Sequence, residues 1–278
     1  MIHIVVDSTA DLAPEVAAAA GITVVPILVQ FGHETLRDSE ISHDEFYARL
    51  VASQEIPQTA APPIGLYEAA FRMLTANGDG VFSISLAGAL SSTFNAAQQA
   101  ARLVEGAQIT CVETGTTVAP MGYIALAAAQ AAQAGAAIDD LVALVEQRKR
   151  KAVLYVGLDT LRYLEKGGRI GRMQAFLGTI LSVKPILEVR DGVVLPTEQV
   201  RTSRRVPGRL AELAKERGSY SDLSVLYTTT REAAEAMATL CAEAGLLPRA
   251  QIQIIQAGPA LGTHVGPGAL GIAGLLHE

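Results

Sequence analysis

Short apolar runs of valine and isoleucine alternate with helical patterns along the first half of this chain, and that alternation constrains its fold more than any other feature. "IHIVVD" reads as a buried strand and "STADLAPEVAAAA" as the helix after it, opened by a box-like cap at Ser8 and Asp11. "ITVVPILVQ" follows as a strand, "SHDEFYARLVA" and "IGLYEAAFRMLTA" as helices, and "GVFSISL" as a strand. The helix "STFNAAQQAARLV", the strand "QITCVE" and two alanine-rich helices then run to about Lys151. Buried strands separated by helices call for a mostly parallel, doubly wound sheet.

The second half has a different rhythm. "AVLYVGL", "DLSVLYTTT" and "AQIQIIQAG" read as strands, and "KPILEVRDGVVLPTEQV" as a hairpin turning at Asp191-Gly192. A hairpin inside an alternating pattern predicts a mixed sheet with helices on it. With 278 residues, more than one average domain of about 100–200, the chain is expected to form two α/β domains, 1–152 and 153–278.

Composition removes several functions. Half of the residues are hydrophobic, enough for a sizeable core. A net charge of −6 offers no basic field to a phosphate backbone, so nucleic acid is not an expected partner. Cys111 and Cys241 lie far apart without C-x-x-C spacing, which suggests neither a disulfide framework nor a zinc site and fits a reducing cytoplasm. The first residues enter a strand without a basic leader or cleavage signal. "APMGYIALAAAQAAQAGAAI" is broken by glutamines and glycine and reads as a buried helix, not a membrane span. A soluble cytoplasmic protein with at most transient membrane contact is expected. His3, His33, His43 and His277 lack ligand spacing, so neither metal nor cofactor is expected.

Four segments have chemical potential. "GPALGTHVGPGALG", residues 258–271, sets His264 among five glycines, whose backbone amides can approach a small ligand closely. Gly266, Gly268 and Gly271 spell G-x-G-x-x-G, but the helix, second strand and acidic residue of a dinucleotide site have no room to follow, and no G-K-[ST] occurs. In "SLAGALSSTFNAA", Ser91 and Ser92 stand where a strand gives way to a helix, a place for an anion as well as for an ordinary cap. "YLEKGGRIGR" puts Arg169 after two glycines, either as an anion-pairing guanidinium or beside a helix C-cap at Gly167. "IPQTAAPPIG" carries Thr59 in a proline-stiffened loop. The four arginines of "QVRTSRRVPGR" fit a solvated helix start or an acidic partner.

Taken in order, these segments resemble the DegV family along essentially the whole chain. The matching motifs are "DSTADL", "RDSEISHDEFYARL", the Thr-x-x-Pro loop at Thr59, "LSSTF", "YLEKGGRI", "KPIL" and "GPALGTHVGPG". The resemblance implies a two-domain fold that holds a long-chain fatty acid, palmitate-like and of about sixteen to eighteen carbons, between the domains. It also implies a partner, a separate fatty acid kinase to which the carboxylate is presented for conversion to an acyl phosphate. Carried onto this sequence, the carboxylate clamp consists of Thr59, Ser91, the amide of Ser92, Arg169 and His264. Ser92 replaces a usual glycine, Ala60 a common serine and Glu113-Thr114 a usual Asp-Ser, while "TVAPMG" replaces a segment usually richer in Ser and Gly; none deletes a donor of the clamp. Two other readings use the same residues: an acyl hydrolase or transferase with Ser91 as nucleophile and His264 as base, and a lipid-sensing regulator.

Overall fold

The computed structural model describes residues 1–53, 55–176 and 183–277. In chain order the first half forms β1 (Ile2–Asp7), α1 (Pro14–Ala19), β2 (Ile22–Val25), β3 (Leu28–Phe31), β4 (Glu34–Arg37), α2 (His43–Ala52) and β5 (Gln58–Ala60). It continues with α3 (Ile64–Thr75), β6 (Gly80–Ser85), α4 (Thr93–Leu103), β7 (Ile109–Glu113), α5 (Val118–Gln133) and α6 (Ile138–Lys149). The second half forms β8 (Ala152–Gly157), α7 (Arg162–Lys166), β9 (Lys184–Arg190), β10 (Val193–Val200) and α8 (Val206–Arg217). β11 (Tyr220–Tyr227), α9 (Arg231–Glu243), β12 (Ile252–Gln256), α10 (Pro259–Val265) and β13 (Leu270–Leu276) complete it.

The expected parallel sheet is present, in the order β2-β1-β6-β7. β6 is buried along its length because helices cover both faces, which is why its sequence runs apolar without alternating. Tyr67 and Phe71 of α3 pack with Ala97 of α4 against Val5 and Val81 on one face. The expected mixed sheet is six-stranded, β10-β9-β8-β13-β11-β12, with Leu210 of α8 and Met237 of α9 packed on one of its faces. Asp191 (φ 51°) and Gly192 (φ 73°) make the two-residue turn of the β9–β10 hairpin, with Arg190 paired to Val193.

The two sheets share a core. One apolar cluster joins Ile4, Phe82 and Ile84 of the parallel sheet to Leu154 and Ala273 of the mixed sheet through Met121, Ile124 and Ala128 of α5. A helix apolar on all sides belongs between layers, and alanine lets both sheets come close. Gly122 lets the turn after β1 sit as close to α5: a Cβ there would stand 2.8 Å from the Ala10 carbonyl oxygen. Tyr123 adds a polar tie, its hydroxyl pairing with that of Ser224 on β11. Among the described residues no helix is long and apolar enough to cross a membrane.

Four local expectations are corrected. "ITVVPILVQ" is two strands in two sheets: Pro26 separates β2 from β3, which joins a small antiparallel sheet ordered β4-β3-β5. Thr59 therefore lies on a short strand, opposite Val29, and not in a loop. Ser8 and Asp11 do not cap a helix. Asp7 caps a 3-10 turn over Ser8–Ala10, Asp11 ends it in the left-handed region, and α1 starts later at Pro14. Finally, the glycine-dense stretch 258–271 is mostly regular structure, holding α10 and the start of β13, a strand inside the mixed sheet.

Packing predicts opposite outcomes at two glycines, one on α5 and one on α8. Gly122→Val overfills the contact with Ala10 and should lower unfolding free energy by about 1–3 kcal/mol. Gly208→Ala on α8, where an added Cβ meets nothing within 4 Å, should raise it by about 0.4–1 kcal/mol. Urea unfolding of the two variants measures both.

Candidate functional site

Loop positions are fixed first by a buried carboxyl. Asp7 ends β1 fully buried and accepts the Thr9 N–H (3.1 Å), the Thr9 hydroxyl and the Leu86 N–H (2.9 Å). Those bonds fasten the turn after β1 to the end of β6. Beyond Leu86, the Ala87 carbonyl accepts the N–H groups of Leu90 (2.9 Å) and Ser91 (3.3 Å), and Glu113 accepts the Gly88 N–H. Thr114 donates its hydroxyl to the Ser85 carbonyl (3.2 Å). The departures at Glu113 and Thr114 thus keep acceptors and donors that hold this loop.

Ser91 comes out of that loop just before α4. Its Oγ pairs with Thr93 Oγ1 (2.8 Å) and accepts the Thr93 N–H (3.3 Å). Ser92 occupies the N-cap position, exposed and making no side-chain cap. First-turn N–H groups of a helix have no partner inside it, so the start of α4 presents donors and the positive end of its dipole.

The second half contributes the opposite side. α10 begins at Gly258-Pro259, with Gly258 N–H donating to Asp11 (3.1 Å) and Tyr47 OH donating to the Ala257 carbonyl (2.7 Å). That placement brings His264 Nε2 to 2.9 Å from Thr59 Oγ1 across 205 positions of sequence. His264 lies on Gly167, where a Cβ would stand 2.3 Å from Nδ1. Gly167 is indeed the C-cap of α7, and Gly168 takes the left-handed conformation after it. Arg169 then donates Nε to the Leu90 carbonyl (3.0 Å) and Nη1 to the Gly167 carbonyl (2.7 Å), stapling this loop to the Ser91 loop.

Thr59, Ser91, Ser92, Arg169 and His264 all line one cavity of about 290 Å³. Sequence reasoning missed its apolar wall: Leu154 and Val156 of β8, Leu187 and Val189 of β9, and Val194 of β10. Cross-strand pairs Val156–Leu187 and Val189–Val194 make them one stripe on one sheet face. The period-2 spacing of "VLYV" and "ILEV" was the available signal. Thr93 and Gly167, which orient Ser91 and His264, were also missed.

The imidazole is neutral at physiological pH, since burial and then the Arg169 charge push it down to about 4. Its Nδ1 is buried and has no hydrogen-bond partner. A buried orphan N–H costs more than an orphan lone pair, which assigns the proton to Nε2. His264 then donates to Thr59 Oγ1 and leaves the threonine proton free to point into the cavity. Either hydroxyl of the Ser91–Thr93 pair can donate to the other, and when Thr93 donates the serine proton is free in the same way. The site thus offers hydroxyl and amide donors at one end and apolar wall elsewhere, a receptor for an anion with a hydrophobic body. His264 Nε2 is bonded to Thr59, and among the described residues no carboxylate bonds its Nδ1, so the Ser-His-Asp arrangement is not assembled here.

Fold and cavity together define an α/β protein built on a parallel and a mixed sheet, with one mainly apolar cavity bordered by residues of both halves of the chain. A family model described as "Uncharacterised protein, DegV family" matches residues 1–276, and the chain belongs to that family. The DegV domain-containing protein SCO2569 of Streptomyces coelicolor is 35% identical over 98% of this chain and 97% of its own length. A solved DegV family protein from Thermus thermophilus, described by its fatty acid binding, has a TM-score of 0.91 at 27% identity and 99% coverage of both chains. DegV of Bacillus subtilis, described as a fatty acid binding protein, has a TM-score of 0.88 at 31% identity, also covering 99% of both.

Two measurements test this geometry. Burial raises Asp7 and Asp38 to about 6 and Asp11 to about 7. Each is better accommodated protonated, so its contribution to stability is lost as pH rises through those values. The imidazoles of His264 and His43, which burial lowers, oppose this increasingly as pH falls toward about 6.5, the ordinary histidine value, where an unfolded imidazole is half protonated. The urea midpoint should therefore rise as pH is lowered from 8 to 7 and level off near 6.5, and an inverse trend between 8 and 7 would mean that the carboxyls are hydrated. Gly167→Ala should displace the His264 ring and change its imidazole nitrogen NMR signals; unchanged signals would refute the packing of the ring on Gly167.

Proposed function

We propose that this chain binds a long-chain fatty acid and presents it to a separate fatty acid kinase. The observation carrying this reading is the one cavity that Thr59, Ser91, Ser92, Arg169 and His264 all line and whose other lining is mainly leucine, valine and alanine, with Thr9 and Thr117. The fatty acid binding of the Thermus thermophilus and Bacillus subtilis relatives supports it. In this reading residues 1–152 and 153–278 are two lobes, the first giving Thr59 and Ser91, the second Arg169 and His264.

The tail dominates affinity. About fifteen methylenes at ~0.8 kcal/mol each give a gross ~12 kcal/mol, before ordering costs are subtracted. Each hydrogen bond to the carboxylate adds only about 1.5–3 kcal/mol, so the polar end sets which way the ligand lies. Thr59 and Ser91 donate their free hydroxyl protons, the Ser92 amide donates at the start of α4, and Arg169 supplies positive charge. Neutral His264 acts through Thr59, holding its oxygen as an acceptor so that its proton faces the carboxylate. A carboxylate held by these donors stays ionised, the form that attacks a phosphoryl donor brought by the kinase.

Denaturing solvent extraction of freshly purified protein followed by mass spectrometry tests the binding. Near-stoichiometric fatty acid of about sixteen to eighteen carbons is expected in the wild type, with loss in Ser91→Ala/His264→Ala. Fatty acid in neither would overturn the reading. Acyl phosphate formation from the loaded protein, ATP and a candidate kinase subunit, absent when either protein is omitted, tests the presentation step.

A further inference from the structure

A second groove, of about 970 Å³, runs between the turn after β1, α1, α5 and β12, and none of its lining residues lines the fatty acid cavity. Its flanks are apolar. Val16 and Val24 remain 40% and 38% exposed there, with Leu12, Leu126 and Ile254 beside them. Large side chains left open to water beside a groove are available to cover a ligand.

The same groove is lined by Asp11 and Asp38. Asp38 is 8% exposed; Oδ2 accepts the Ser8 hydroxyl, whereas Oδ1 is buried with no hydrogen-bond partner. Asp11 accepts the Gly258 N–H on Oδ2. Asp38 and Asp7 both act on Asp11 as like charges, and among the described residues none of the three forms an ion pair with a lysine or arginine; the neighbouring Arg37 pairs with Glu40 instead. His43 lines the groove as well, and its burial favours the neutral ring; Tyr123 and nearby Tyr47 are held un-ionised. Buried carboxyls are ordinarily paired with a cation, and among the described residues these have none.

The absent partner has a definable chemistry. Among the described residues no three ligating side chains converge as a metal ion requires. An ammonium group needs fewer acceptors, donates directionally to carboxylate oxygens, and can carry an alkyl chain for the valines. We infer that this groove binds a primary amine on an apolar chain, with the ammonium held by Asp11 and Asp38 and the chain along Val16, Val24 and Leu126. Burial and like charge keep Asp11 up at about 7 and Asp38 at about 6, so a bound ammonium displaces protons from them.

The test is calorimetric titration of the full chain, with oleate in excess to fill the other cavity, using n-octylammonium chloride and, separately, n-octanol. One octylammonium per chain is expected, bound at least tenfold more tightly than octanol. Titrations in buffers of different ionisation enthalpy should show roughly one proton released per amine at pH 6.5. Asp38→Asn and Asp11→Asn should each weaken the amine tenfold or more, and Val16→Lys, a change at an exposed position, should do so by charge repulsion. Equal binding of amine and alcohol would overturn the inference, and so would wild-type affinity in the variants or displacement of the amine by oleate. Should the Asn variants fail to fold, Val16→Lys and the amine-to-alcohol ratio still decide. The readout does not require oleate to bind, so failure here and failure of the fatty acid reading are separate results.

Discussion

The burial of α5 on both sides is the constraint from which the rest of the structure follows. Met121, Ile124 and Ala128 pack into one apolar cluster with strands of the parallel and the mixed sheet. A surface helix would have to alternate apolar and polar stripes; this one is small and apolar nearly all round, so two sheets can close on it. That closure sets residues of the first half against residues of the second, and the cavity lies between β5 and the start of α4 on one side and α10 and strands β8, β9 and β10 on the other. The Tyr123–Ser224 pair ties α5 to the mixed sheet, and Gly122 lets the turn after β1 pack on the same helix.

Buried polar groups then set the loop geometry that apolar packing leaves loose. Asp7 ties the ends of β1 and β6 through three donors, Asp11 and Tyr47 hold the start of α10, and Arg169 links two loop carbonyls. Each bond has only modest net worth, but breaking one strands a buried donor or acceptor, which costs more than the bond itself contributes. Such groups select one loop arrangement over its neighbours. The site keeps its donors ready because their other hydrogen bonds are already satisfied within the protein, Thr59 by His264 and Ser91 by Thr93. Little ordering is then left to be done when an anion arrives.

Charge is distributed unevenly between the two concavities. The cavity has Arg169 and amide and hydroxyl donors at its polar end, with a neutral imidazole behind them, whereas the groove along α1 and β12 has carboxyls. The lead-in to α10 stands between them: Gly258 and Pro259 line the groove, Ala260 and His264 the cavity. One short helix therefore has one end beside each chemistry.

The sequence by itself determined the kinds of element and their order. Alternating apolar runs and helical patterns specified a parallel sheet, Asp191-Gly192 a hairpin, and the alanine-rich stretch a buried helix, because each depends on periodicity or on backbone preferences a few residues long. Where two such signals overlapped, reading by periodicity failed. Pro26 splits what looks like one strand, and the glycines of 258–271 suggested a loop although α10 and β13 use them for close packing, with a Gly262 Cβ falling 2.7 Å from Phe46. Resemblance to the DegV family implied Thr59, Ser91, the Ser92 amide, Arg169 and His264 as residues of one clamp. Only tertiary structure put a hydroxyl of β5 within 2.9 Å of an imidazole 205 residues later, and only it supplied the sheet wall, the seat of His264 on Gly167 and the unpaired carboxyls of the groove. Local sequence encodes what a segment prefers; distances between segments, burial and the resulting protonation states come from the packing of the whole chain.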